Sequence, residues 1–333
     1  MRNLIWQIEK IRLDLKYTWK LSRNETDFKE NLIIKVSDGK HEGKGEAAPN
    51  IRYGETPSDF LLDFEKFTSF SNREIKEITD FISLLDSFKL PSALRFGIES
   101  AYIDFLCESS GKPFHRYMNI PETINCHTVY TLPVMDPSAI ADFYREYGLS
   151  RFRTVKLKVN QENATEMLRE LEKYTGHQEI IIDANESWKD VENLCRSIEK
   201  FRNRNLIFLE QPMPDGFTEE YRYLKKQTPI PLMADESLSG DFDLDLITEC
   251  FHGVNMKLMK AGSYFRGIEI LKTASACGMK TMVGCMVETT LGILSGFSLA
   301  SLAGIVDLDG FMLIKNEPFK LLREDNGVLY RNP

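Results

Sequence analysis

The chain has 333 residues, 42% of them apolar, a formal net charge of −8 and a pI near 5.4. That length can bury a large core and allows one barrel-sized domain plus a smaller one. The acidic balance, with no stretch that concentrates Lys and Arg, argues against a nucleic-acid partner.

Cys107, Cys126, Cys195, Cys250, Cys277 and Cys285 form no C-x-x-C pair and no disulfide rhythm, which points to a reduced, cytoplasmic setting. The start of the chain reads as no secretory signal, because Leu4 to Ile8 is a short apolar run interrupted by Gln7 and followed by Glu9. A longer uncharged run, Leu291 to Val306, has 16 residues broken by Gly292, Gly296 and Gly304. It predicts a buried helix running into a strand, with no membrane partner.

Residues 1–120 read as an α+β unit. Leu4 to Leu15 alternates loosely, Asn31 to Val36 predicts a strand, and Ser37-Asp38-Gly39-Lys40 predicts a turn back through Gly45-Glu46-Ala47. A helix is expected from Thr56-Pro57-Ser58-Asp59, with Thr as N-cap, Pro at the first helical position and Phe60, Phe64 and Phe67 on one face. A second runs over Pro91 to Cys107, with Leu94, Ile98, Ala101 and Phe105 in register and Gly111 stopping it.

From Ile124 the pattern becomes strand, helix, strand, helix, with strands near 124–131, 152–158, 179–183, 206–210, 230–235, 254–258, 280–284 and 305–309. Eight strands alternating with helices predict a (β/α) barrel rather than a sandwich or bundle. Residues 315–333 are too few for a domain and are expected to pack back on the first unit.

Within Thr154 to Val159, Lys156 and Lys158 leave one strand on the same face. Alone, that pair could mark an edge strand with a wet face. The next four strands give it weight. Their short apolar runs carry Asp183, Glu210, Asp235 and Lys257 at or near their ends, at steps of 25, 27, 25 and 22 residues from Lys158. Each step is the length of one strand, one helix and two loops, and barrel strand ends line one mouth.

Each acid could cap the next helix or pair with a lysine. At equivalent positions of successive units, Asp183, Glu210 and Asp235 instead suggest all-oxygen ligation of a hard cation such as Mg²⁺. His41, His115, His127, His177 and His252 show no zinc-binding spacing. Such a metal could polarise a substrate carboxylate and favour removal of the adjacent proton through an enediolate. A lysine base must be neutral, so its ordinary pKa of about 10.4 has to fall to roughly 7 to 8, and Lys156 is placed to push Lys158 in that direction.

K-x-K at 156/158, D-A-N at 183–185, E-Q-P at 210–212, A-D-E-S at 234–237 and N-M-K-L-M-K at 255–260 together resemble the enolase superfamily, muconate-lactonizing subgroup. Lys or His bases beside Mg²⁺ are already a known pattern for that superfamily. The resemblance spans nearly the whole chain. It implies a (β/α)7β modified TIM barrel over 121–314 beneath an N-terminal α+β capping domain. Within the subgroup, Gly284-Cys285-Met286-Val287-Glu288-Thr289 and Asp307-Leu308-Asp309-Gly310 most resemble the dipeptide epimerases of the L-Ala-D/L-Glu type.

That resemblance implies one Mg²⁺ per site on Asp183, Glu210 and Asp235, catalytic Lys158 and Lys257, and Asp307 and Asp309 for the substrate ammonium. Arg23 is expected on the distal carboxylate, with Tyr53 and Glu288 as further substrate contacts. Lys260 competes with Lys257, and strand alternation favours Lys257. D-L-D-G can also be read as a strand end entering a turn. The implied partner is a small-molecule dipeptide, with a homo-oligomer left open. Epimerisation of hydrophobic dipeptides, o-succinylbenzoate synthesis, muconate cycloisomerisation and a non-catalytic scaffold remain as alternatives.

Overall fold

An antiparallel sheet opens the chain: β1 (Ile5–Lys20) pairs antiparallel with β2 (Glu25–Ser37), and β2 with β3 (Glu42–Ala47). This is a computed structural model, and it describes residues 4–20, 25–70, 77–201, 204–240 and 242–332. Asp38 accepts the backbone N–H groups of Lys40 and His41 at 3.0 and 2.9 Å, closing the expected turn between β2 and β3. Four helices come next, α1 (Pro57–Phe70), α2 (Ile78–Ser87), α3 (Ser92–Ser110) and α4 (Phe114–Tyr117).

Thr56 Oγ1 accepts the Asp59 N–H at 3.2 Å, and Phe60, Phe64 and Phe67 are buried, as their spacing predicts. Helix α3 lies so close to β3 that a Cβ at Gly43 or Gly45 would sit 2.2 Å from the carbonyl oxygen of Ala101 or Gly97. Only glycine admits that approach.

The barrel runs β5 (Tyr130–Leu132), α5 (Ile140–Glu146), β6 (Thr154–Lys158), α6 (Ala164–Thr175), β7 (Glu179–Asp183), α7 (Val191–Phe201), β8 (Leu206–Glu210), α8 (Thr218–Gln227), β9 (Leu232–Ala234), α9 (Leu244–Cys250), β10 (Gly253–Lys257), α10 (Leu258–Ala261), α11 (Tyr264–Ala276), β11 (Lys280–Gly284), α12 (Thr290–Leu299) and β12 (Ile305–Asp307). Neighbouring strands from β5 to β12 pair in parallel and in sequence order. The Val129 N–H donates to Val306 O at 3.0 Å, joining the two ends of the sheet. With α-helices in the gaps between strands and, among the described residues, only a short 3-10 helix (Gly310–Leu313) in place of an α-helix after β12, the domain is a (β/α)7β barrel.

The single strand expected near 124–131 is two. A segment β4 (Asn125–His127) pairs with the C-terminal strand β14 (Val328–Arg331), itself paired with β13 (Leu322–Asp325), and only from Tyr130 does the chain enter the barrel. The C-terminal residues, expected to pack back on the first unit, touch it where Lys315 N–H donates to Asp14 O at 2.9 Å. Beyond that they turn to β4 and the barrel, where Glu324 pairs with Arg151 at 2.9 Å.

Two buried acids of the N-terminal unit cap barrel helices. Glu46 accepts the N–H groups of Thr289 at 3.0 Å and Gly292 at 2.9 Å, at the start of α12, and the Thr289 hydroxyl as well. Glu99 accepts the Tyr264 N–H at 2.7 Å and the Ser263 hydroxyl at 2.9 Å, at the start of α11. A carboxylate satisfies orphan N–H groups there and faces the positive end of the helix dipole.

Among the described residues no helix is long and apolar enough to cross a membrane, and all six cysteines are free.

Candidate active site

The register of the barrel places the chemistry. Lys158 lies opposite Asp183, and Asp183 opposite Glu210, at the C-terminal ends of β6, β7 and β8. Lys257 ends β10, which is four places from β6 in the eight-strand order, so the two lysines come from opposite walls. A cavity of about 460 Å³ at this mouth is lined by Lys156, Lys158, Asp235, Lys257, Asp307 and Asp309, and from the N-terminal unit by Trp19, Lys29, Asn31 and Tyr53. That size suits a small organic substrate.

Asp183 Oδ2 is shared between the Lys158 ammonium at 2.6 Å and the Lys156 ammonium at 3.1 Å. Lys156 also donates to Glu210 Oε1 and Asp307 Oδ2, each at 2.9 Å. The sequence places Lys156 as a bare cationic neighbour of Lys158, but the structure sets a carboxylate between them. Burial pushes the Lys156 ammonium down, yet Asp183, Asp307 and Glu210 outweigh it and hold its pKa well above the ordinary value. Asp183 is correspondingly held low, its burial overcome by Lys156 and Lys158.

Asp235 is bracketed in the same way, with Lys257 at 2.9 Å on Oδ2 and Lys260 at 2.6 Å on Oδ1. The lowered pKa expected of a lysine base is not found at Lys257, because Asp235 outweighs burial and raises it. Lys260, lowered mainly by burial, is not among the cavity-lining residues, whereas Lys257 is. Lys260 sits past the end of β10, on α10, so the alternation of that strand does not reach it.

Asp307 and Asp309 both line the cavity, Asp307 against Lys156 and Asp309 accepting the Thr131 N–H at 2.6 Å. Burial, with Asp307 beside it, pushes the Asp309 carboxyl up to about 7. Tyr53 lines the cavity as well, near Asp235, Glu236 and Lys257. Glu288 does not line the cavity: it accepts the Met286 N–H at 2.7 Å and lies against Glu46, behind the loop that forms the wall. Arg23 lies outside the described residues.

Several residues that organise the site are given no role by the sequence reading, although Asn185, Gln211 and Asn255 lie within its D-A-N, E-Q-P and N-M-K-L-M-K motifs. Asn255 donates to Glu210 Oε1 at 2.9 Å, and Asn185 accepts from Lys158 at 2.9 Å. Gln211 accepts the N–H groups of Asp235 at 2.9 Å and Ser237 at 3.1 Å. Arg52 forks onto both oxygens of Glu186 at 2.9 Å, tying the N-terminal unit to the loop after β7. Asn255 was legible in principle, since it shares strand parity with Lys257. Gly310 packs where a Cβ would lie 2.1 Å from the Met286 carbonyl oxygen, so the loops after β11 and β12 meet backbone to backbone.

Among the described residues no three acidic, histidine or cysteine side chains converge tightly enough to hold a metal ion in this arrangement. Lysine ammonium groups occupy the gaps, so here each acid pairs with lysine. The donor chemistry nevertheless fits a hard divalent cation. Asp183, Glu210 and Asp235 are at most 2% exposed. Glu210 Oε2 lies 2.9 Å from Lys156 but makes no hydrogen bond. Burial pushes the Glu210 carboxyl up to about 7, with Lys156 opposing and Asp183 and Asp235 adding to the shift.

Residues 138–311 match the family described as enolase C-terminal domain-like. The L-Ala-D/L-amino acid epimerase of Pedosphaera parvula is 32% identical over 95% of this chain and 93% of its own length. The L-Ala-D/L-Glu epimerase of Bacteroides thetaiotaomicron is 28% identical, covering 87% of this chain and 76% of its own. The dipeptide epimerase of Methylococcus capsulatus, solved with Mg and L-Arg-D-Lys, shares the fold at a TM-score of 0.89 and 23% identity, over 100% of this chain and 98% of that one. The family match across the barrel and the full-length relative place this chain in the enolase superfamily, in the family of the dipeptide epimerases.

Proposed function

We propose that this protein is a dipeptide epimerase of the L-Ala-D/L-Glu type, an isomerase that inverts the α-carbon of the dipeptide's C-terminal residue by 1,1-proton transfer. The observation that carries the reading is the cavity lined from opposite walls by Lys158 and Lys257, with Asp307 and Asp309 on a third side. The two aspartates suit a substrate ammonium, a charge that muconate-type substrates lack.

Mg²⁺ is the proposed cofactor, with Asp183, Glu210 and Asp235 as the side chains that would hold it. When bound it supplies positive charge beside the substrate carboxylate, which acidifies the neighbouring C–H. The remaining work falls to the chain. Asn185 and Asp183 orient the Lys158 ammonium, and Asp235 orients that of Lys257. One lysine, as the neutral amine, takes the α-proton and becomes an ammonium. The other, starting as an ammonium, delivers a proton to the opposite face and becomes the amine. Lys257 can serve as a base only when the hold of Asp235 is relaxed, which the ligand role assigned to Asp235 would achieve.

In deuterium oxide with Mg²⁺, wild-type enzyme should exchange the α-proton of both L-Ala-L-Glu and L-Ala-D-Glu. Lys257→Ala should retain exchange from one epimer alone, and Lys158→Ala from the other. Exchange from both epimers in either variant sinks the two-base assignment.

A further inference from the structure

One wall of the cavity is a continuous stretch of the N-terminal unit, residues 48–53, every one of which lines it. The short 3-10 turn within it, Ile51–Tyr53, buries none of its own residues. Hydrogen bonds rather than packing therefore hold the shape of this wall.

Two anchors supply them. Arg52 grips Glu186 in the loop after β7 at 2.9 Å. The second anchor is Glu55, which is 9% exposed and does not itself line the cavity. Gly54, at φ +70°, turns the chain back on itself. The Glu55 N–H then donates to Asn50 O at 3.3 Å, and Oε2 of its carboxylate accepts the Asn50 N–H at 3.0 Å. The other carboxylate oxygen accepts the Ala93 N–H at 3.2 Å, in the first turn of α3. Helix α3 is in turn fixed to the barrel, where its Glu99 accepts the Tyr264 N–H at the start of α11. A single carboxylate thus links the cavity wall to a helix that the barrel holds in place.

We propose that Glu55 is a positioning residue, whose two carboxylate oxygens hold residues 48–53 in the shape that binds substrate. The proposal rests on the dipeptide reading of this cavity and adds to it a group that acts without touching the substrate. Both oxygens are needed as acceptors, because a proton on either leaves a buried N–H poorly matched. Burial pushes the Glu55 carboxyl up to about 7, the N–H groups of Asn50 and Ala93 oppose the shift, and no charged side chain among the described residues contributes to it. The wall is held fully above that value and is released as pH falls through it.

Glu55→Gln keeps the size of the side chain but only one acceptor oxygen, so it copies the protonated carboxyl at every pH. With the Mg²⁺-loaded full chain and L-Ala-L-Glu at pH 8.5, it should raise KM by about 5- to 50-fold, with a much smaller effect on kcat. At pH 6 the gap from wild type should close, since wild type then carries the proton itself. Hydrogen–deuterium exchange at pH 8.5 without substrate should show residues 50–55 losing protection in the variant.

A KM gap of the same size at pH 6 and pH 8.5 would mark Glu55 as merely structural and overturn the proposal. So would a KM equal to that of wild type throughout. Wild type that turns over no dipeptide overturns the dipeptide reading, and exchange then decides this assignment by itself: unchanged protection of residues 50–55 overturns it, and lost protection upholds it.

Discussion

Lys156 is the counter-charge that three acids share, within 3.1 Å of Asp183 and 2.9 Å of both Glu210 and Asp307. Replacing it with Met would leave buried carboxylates facing one another, and loss of one partner in a buried ion cluster costs about 3–5 kcal/mol. Lys156→Met is therefore expected to lower the denaturant midpoint markedly, with Mg²⁺ recovering part of the loss. Glu288 predicts a different signature. Burial, with Glu46 of β3 facing it and only the Met286 N–H and Lys257 opposing, raises its carboxyl to about 8. The folded chain then binds more protons than the unfolded one between the ordinary carboxylate value of about 4.3 and that raised value. The Glu288 contribution is fully present below this window and is lost as pH rises through about 8. Glu288→Gln should remove that decline, so denaturation across pH 4–9 should show the variant gaining on wild type by a few kcal/mol as pH increases. Parallel stability curves would contradict the burial of this carboxyl. At this scale the strand-end acids and lysines were legible because their spacing repeats, whereas Gln211 and Arg52 act through partners far away in sequence. Glu288 sits in a recognisable motif, but no local pattern says which way a loop side chain turns.

At the scale of elements, the loop from Cys285 to Val287 forms one wall of the cavity and leads into α12. Its position depends on β3 of the other unit. Glu46 caps α12, and Asn31 donates to Glu46 at 2.7 Å and to the Val287 carbonyl at 2.9 Å. Glu46→Ala should cost about 2–4 kcal/mol in stability by leaving buried N–H groups unmatched, and should raise KM more than it lowers kcat. Glu46→Gln, retaining one acceptor oxygen, should fall between. An unchanged KM in a folded Glu46→Ala enzyme would show that the cap does not shape the wall. The helices around Phe60, Phe64 and Phe67 and around Leu94 and Ile98 could be read directly from periodicity and caps, because those signals lie within a few turns of chain. The break between β4 and β5 could not, since β4 pairs with β14 across the length of the barrel.

For the whole molecule, the arrangement of acids makes a prediction about metal. A cation that binds only the folded chain stabilises it by mass action, about 2.7 kcal/mol at a hundred times its Kd. The melting temperature should rise with Mg²⁺ concentration, fall back on chelation, and become insensitive in Asp235→Asn. A wild-type melting curve indifferent to Mg²⁺ would remove Asp183, Glu210 and Asp235 as ligands. The steady beat of strand and helix made the barrel legible from sequence, and the N-terminal unit was legible from its meander and helices. How the two halves dock was not, because Arg52–Glu186, Glu46–α12 and Glu99–α11 join positions that no periodicity connects.

Those borrowed caps bear on how such enzymes could be recombined. A designer who transplants a foreign lid onto this barrel to change its preference also removes the carboxylates that complete two barrel helices. Chimeras should therefore lose solubility or activity unless the donor lid brings acids at the places of Glu46 and Glu99, and grafts limited to the tips around Trp19 and Lys29 should be tolerated far better than exchange of the entire lid.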